Sequence, residues 1–496
     1  MKILSLSWFA LFITGVFSYE QGNNRPSPGF QPLEINIELA QDIRMDSIYV
    51  YFINPLKGES VVDSVVAFKA AKSGLFKYRG WAKGGGQLII RAKPAVEGKF
   101  KHKHLPITPA FYWQSQDRVH IRMTKRTVLP LTGNTMDDYV FTFSGAGSVK
   151  YMAREKILRA RLNAEPSPAS GVNQPYQDLL APKVDAALKT LEELKPTLSD
   201  HYYHLLKADI IGWQAGRFRR LTGACENGLD SAVCLMFYRQ NLHTAFDSAA
   251  MEIPPGQAAL SFPYVNYLYE KLLFDSSLGQ TEGSEPDYVS TIIKQYQGPL
   301  RERILLNLFL NHPPRADINL LYQQARPLIS DPGYLMALDE ATKTLPGMPL
   351  KELQLQDLTG KMVRLADLKG KVAFVDVWFS GCGACSAYYR NVLREAEEVL
   401  KDEKDIVFVS ISTDSKRELW KRSVSSGKYS SASVVNLCTG GNEHPWVKYY
   451  NFESVPKMII VNREGQIERI YGNGLADGIN TTAALVSTLK KTQQAQ

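Results

Sequence analysis

From Lys371 to Phe379 the chain reads Lys-Val-Ala-Phe-Val-Asp-Val-Trp-Phe, an apolar stretch interrupted by one acid, Asp376. Continuous apolarity over that length describes a strand covered on both faces, the kind found in sheets packed between helices. Ser380-Gly381-Cys382-Gly383-Ala384-Cys385 follows, and then Tyr388, Val392, Ala396 and Val399 recur at the three-to-four-residue spacing of a helix. Two cysteines therefore sit where a strand ends and a helix begins. Unpaired N–H groups and the helix dipole stabilise a thiolate there, which makes Cys382 the attacking sulfur. Cys385, one turn further in, is placed to attack a mixed disulfide formed by Cys382 and so release a client protein. A carboxyl group within a buried strand is costly unless neutral or functional. Asp376 could exchange a proton with Cys385, or it could be bonded to local backbone.

The rest of the chain changes period twice. Its 496 residues suggest about three domains. Residues 1–18 form an apolar run behind Lys2, with Val16 and Ser18 as the small residues before a cleavage site, and read as a secretory signal peptide. Residues 19–32 are rich in Pro, Gly and Asn and form a flexible lead-in. Residues 33–147 alternate with period two in LEINIEL, SIYVYFI, VVDSVVAF, QLIIRA, RVHIRMT and YVFTFSG, which predicts a β-rich domain, an antiparallel sandwich or barrel. Residues 148–346 take helical spacing and end in a linker, and residues 347–496 alternate strand and helix as one α/β domain. The fold class is thus multi-domain: mainly β, then α-helical, then α/β. The aromatic run Tyr264, Tyr267, Tyr269 and Phe274 reads as helix core or as the lining of a ligand groove.

The C-terminal residues resemble the thioredoxin superfamily, and within it the TlpA/ResA-like thiol:disulfide oxidoreductases of bacterial envelopes. The resemblance is carried by LQLQDLTGKMVRLADLKGK (353–371), VDVWF (375–379), CGAC, IVFVSISTD (406–414) and KYYNFESVPKMIIVNREGQI (448–467). It implies a thioredoxin-like fold in which Cys382 attacks, Cys385 resolves, Asp376 is the buried acid and Pro456 is a cis-proline facing the cysteines. Val455 and Pro456 would then bind an extended client segment by strand addition. The sequence departs from the family at Gly381, where Trp commonly precedes the first Cys, at Ala384, where Pro is frequent, and at Lys457, where Thr is common. The direction of exchange is decided by the reduction potential of the pair.

Export bears on the other cysteines, since thiols outside the cytosol tend to be oxidised. Cys225 and Cys234 flank Asn227-Gly228 and are candidates for a structural disulfide, while Cys438 suits a small core residue, a third redox thiol or an intermolecular partner. Zinc would need ligands beyond Cys382 and Cys385, with only Cys438 and His444 nearby, and haem attachment would need His where Ser386 stands. No metal and no cofactor is expected. His102 and His104, within a basic segment from Lys99, read as a charged strand edge or a weak metal site. The 58 basic and 50 acidic residues are dispersed, so nucleic acid is not an expected partner. The expected partners are disulfide- or thiol-bearing clients and an upstream redox protein, in the periplasm or outside the cell, with no membrane span once the leader is removed. A thiol peroxidase, or a binding scaffold with an accessory redox domain, are the competing readings.

Overall fold

The computed structural model describes residues 30–43, 45–53, 56, 62–69, 74–94, 105–125, 139–164, 181–216, 218–219, 236, 253–278, 287–311, 318–452, 454–472 and 478–494. The chain divides into two compact units, one comprising residues up to Asn311 with Leu328–Ala337, the other His312–Pro327 with Leu338–Gln496.

Among the described residues the first unit opens with nine strands: β1 Gln31–Leu39, β2 Met45–Ile53, β3 Val62–Lys69, β4 Leu75–Ala82, β5 Gly85–Pro94, β6 Leu105–Pro106, β7 Phe111–Gln114, β8 Arg118–Lys125 and β9 Tyr139–Ala146. They form a sheet β4-β1-β8-β9 and a sheet β3-β2-β5-β6, with β7 also on β5. Alternation puts Leu33, Ile35 and Ile37 of β1 and Val119, Ile121 and Met123 of β8 into one core with Ile48, Val50 and Phe52 of β2. The all-antiparallel expectation fails at one pair, because β1 and β8 run parallel. Period two shows which side chains turn inward and carries no information on strand direction. Helix Ser148–Asn163 follows β9 and buries Tyr151 in the β core, while Ala153 and Ile157 pack with helices Ala181–Leu194 and Asp200–Gly212. In helix Phe262–Leu278, Tyr264, Tyr267, Tyr269 and Phe274 are all buried.

The second unit is built, among the described residues, on seven strands, β10 Gln354–Gln356, β11 Met362–Arg364, β12 Val372–Trp378, β13 Ile406–Ser412, β14 Val435–Cys438, β15 Lys457–Val461 and β16 Ile467–Tyr471, in the order β11-β10-β14-β13-β12-β15-β16. Strand β12 lies inside, parallel to β13 and antiparallel to β15, and each of its seven residues is buried. Its odd-numbered residues Ala373, Val375 and Val377 join Trp446, Tyr450 and Phe452 on one face. Its even-numbered residues Val372 and Phe374 join Tyr388, Tyr389, Val392 and Leu393 on the other, where helix Thr482–Gln494 adds Leu485 and Leu489. No helix among the described residues is long and apolar enough to cross a membrane.

Candidate active site

Strand β12 ends at Trp378, and the turn that follows is held from two sides. The Ser380 N–H donates to Asp414 Oδ1 at 3.0 Å and the Ser380 hydroxyl to Asp414 Oδ2 at 2.5 Å, while Ser412 Oγ donates to the same Oδ2 at 2.8 Å. The Gly381 N–H donates to the Tyr429 hydroxyl at 2.9 Å, and the Tyr429 ring stacks on Trp378 with centroids 4.8 Å apart. Trp378 is itself fixed by its indole N–H, which donates to Ser410 Oγ at 2.7 Å. Gly381 has φ 98°, a region that side chains rarely adopt, which gives a backbone reason for the departure from Trp at this position.

Cys382 caps the helix Gly383–Tyr388, and the Cys385 N–H donates to Cys382 Sγ at 3.1 Å. The same N–H is placed to donate to a Cys382 thiolate once the pair is reduced. Cys382 and Cys385 are joined by a disulfide, with Sγ atoms 2.04 Å apart. Both are buried, Cys382 at 7% exposure and Cys385 at 3%, so in the oxidised state the attacking sulfur is only slightly the more accessible. They pack with Trp378, Trp420 and Val424, and Leu358, Tyr429, Cys438 and Val455 close the same cluster at its rim. The Val455–Pro456 bond is cis.

Asp376 sits in the middle of β12 on the face that packs against the helix following the cysteines. Burial, and then the charge of Glu397, push its carboxyl up to about 8. Its Oδ1 is buried with no hydrogen-bond partner among the described residues, unlike an Asp tied to local backbone. Cys438 is a free, half-buried thiol whose Sγ donates to the Asp414 carbonyl at 3.4 Å, and burial raises its pKa. Cys225 and Cys234, the signal peptide, and His102 and His104 lie outside the described residues. Among the described residues no three His, Cys, Asp or Glu side chains gather to hold a metal ion.

Sequence reasoning missed Asp414, Ser380 and Glu397. Asp414 ends the segment IVFVSISTD and could have been suspected as an acid just past a buried strand. Glu397 gave no signal, because helical spacing is interrupted before it. Residues Tyr389–Leu393 form a π turn, and Val399, expected on the buried face, is 55% exposed while Leu400 takes the interior place.

The Thioredoxin-like family matches residues 370–467, a stretch shorter than half the chain. No curated protein matches. Among solved structures, the thioredoxin domain of a thiol-disulfide oxidoreductase from Bacteroides vulgatus is 26% identical, the alignment covering 29% of this chain and 96% of that one with a TM-score of 0.25. A thiol:disulfide interchange protein from a Bacteroides species is 28% identical over 30% of this chain and 91% of that one, with a TM-score of 0.26.

Proposed function

We propose, from the premise that the C-terminal part of this chain is a thioredoxin-like domain, that the protein is a thiol:disulfide oxidoreductase exchanging disulfides with client proteins in the cell envelope. The observation that carries this reading is the bonded pair Cys382–Cys385 at a strand-to-helix junction, with the unpartnered acid Asp376 on the same side of the sheet.

Chemically, a client thiolate attacks Cys382 Sγ, the Cys382–Cys385 bond breaks, and its electron pair leaves on Cys385. Asp376, neutral at pH 7 because its pKa is about 8, can hand that sulfur a proton. In the reverse direction Cys385 returns the proton and attacks the mixed disulfide at Cys382, and the client leaves as a thiolate. Val455, in the same apolar cluster as the pair, and Pro456 after it are the proposed seat of an extended client segment. An upstream dithiol or disulfide protein resets the pair. The signal-peptide reading of residues 1–18 supports the envelope location.

The experiment is a trap. Cys385→Ser in the full chain should accumulate client adducts that reducing agent releases, and Cys382→Ser should accumulate none. The reverse pattern would exchange the roles of nucleophile and resolver, and adducts with neither variant, from a protein that leaves client disulfides untouched, would sink the proposal.

A further inference from the structure

The helix that begins at Gly383 loses its regular phase at the π turn Tyr389–Leu393 before resuming as Arg394–Val399. At 100° per residue an unbroken α-helix would aim Glu397 about 120° away from Cys385, which lies twelve residues earlier. A π turn accommodates one extra residue, and removing it from the count leaves about 20°. Glu397 is thereby returned to the side of the helix that carries Cys385. The neighbouring burial agrees, with Ala396 and Leu400 inside and Val399 outside.

Strand parity brings Asp376 to the same place. Like Val372 and Phe374 it is an even-numbered residue of β12, and those two pack against Tyr388, Tyr389, Val392 and Leu393 of this helix. Asp376 Oδ1 is enclosed there without a hydrogen-bond partner among the described residues. Glu397, half-buried, has contacts that lead outward. Its Oε2 accepts from Ser431 Oγ at 2.8 Å and from the Tyr389 hydroxyl at 3.5 Å, and Ser431 Oγ lies 2.7 Å from Ser433 Oγ, which is exposed.

We propose that Glu397 is a positioning residue for disulfide exchange, a second acid that controls the proton on Asp376 and links it to solvent through Ser431 and Ser433. This rests on the reading above, in which Asp376 serves Cys385.

The surroundings leave Glu397 as the group able to play that part. Tyr388, which feels Asp376, and Tyr389, which feels Glu397, pack on this face of β12, and burial pushes both phenols up, Tyr389 to about 12, so both are neutral at physiological pH. Arg394 also acts on Tyr389, and Tyr471 on Tyr388. Ser410 of β13 and Met458 of β15 flank Asp376 in the sheet and do not titrate. Burial raises Glu397 to about 7, so it changes charge in the range where exchange runs. When the disulfide opens, Asp376 gives its proton to the departing Cys385 sulfur and becomes a carboxylate. Protonated Glu397 refills Asp376 and is refilled from water by way of the two serines, so one proton has moved from solvent to Cys385.

The test uses the full chain with two measurements. Titration of the Asp376 carboxyl by carbon NMR in the oxidised protein reads the coupling directly. Reduction of the disulfide by dithiothreitol, followed against pH, reads its use. Glu397→Gln should lower the Asp376 midpoint and should slow reduction about threefold to tenfold near neutral pH, since fewer Asp376 groups then hold a proton. Combined with Asp376→Asn it should add no further loss. An unmoved Asp376 midpoint, an unchanged pH profile, or a loss that multiplies with that of Asp376→Asn would each overturn the proposal. A parent protein inert toward client disulfides would overturn the function proposed above and this role with it, and it is told apart because the carboxyl titration still responds to Glu397→Gln.

Discussion

Replacing Asp376 by Asn should stabilise the oxidised protein, and the gain should grow with pH. The carboxyl is 3% exposed within a fully buried strand and holds its proton up to about 8, against 3.8 for the ordinary group. Between those values the folded chain keeps a proton that the unfolded chain has lost. Its contribution is therefore fully present below the unfolded pKa and is lost as pH rises toward the folded one. At about 1.36 kcal/mol per unit, the loss reached at pH 7 is about 4 kcal/mol. Asn does not ionise and escapes that slope. Its amide still lacks a partner where Oδ1 lacks one, a penalty of about 1–3 kcal/mol that is the same at every pH. The difference between variant and parent should thus climb by about 1.4 kcal/mol per unit from about pH 5 to 7.5 and level off above about 8. Hydrogen exchange of the β12 amides, followed by mass spectrometry in the full oxidised chain at matched pH, measures that difference with intrinsic exchange cancelled. A difference that stays flat across this range would refute the buried ionisation.

Asp414→Ala removes the acceptor of three hydrogen bonds around Ser380 and Ser412. It should destabilise the second unit by about 3 kcal/mol in denaturant titrations and slow attack at Cys382, with a normal rate arguing against a role in holding the turn. Differential alkylation of the oxidised protein should find Cys225 and Cys234 protected until reduction and Cys438 modified beforehand. Labelling of Cys225 and Cys234 before reduction would exclude their pairing. The mature protein should begin at Tyr19 in an intact-mass measurement, and retention of residues 1–18 would contradict the leader reading.

What could be read from the sequence was whatever is encoded locally. The apolar run of β12, the two cysteines after it and the helical spacing behind them all lie within thirty residues. The six strands read from alternation in the N-terminal part are present, because an inward and an outward face leave a period of two. Strand β4 went unread although Phe76 and Tyr78 alternate with Lys77 and Arg79, since Gly80 breaks the alternation before the next inward residue, Ala82. The parallel pairing of β1 with β8 was illegible for another reason: it joins segments about eighty residues apart, and either direction satisfies the same pattern. At the site, Asp376 was visible because it is the one polar residue in its run. Glu397 was hidden by the π turn, which shifts the phase that a count of 3.6 residues per turn takes as constant.

The ring of Trp378 has an optical consequence. It lies face to face with Tyr429 and in one apolar cluster with the Cys382–Cys385 bond. A disulfide packed near an indole drains its excited state, whereas two thiols do so weakly. Reduction should brighten Trp378, and with it Trp420 of the same cluster, over the steady glow of the other five, and the protein would then report its own oxidation state by emitted light, with no dye attached.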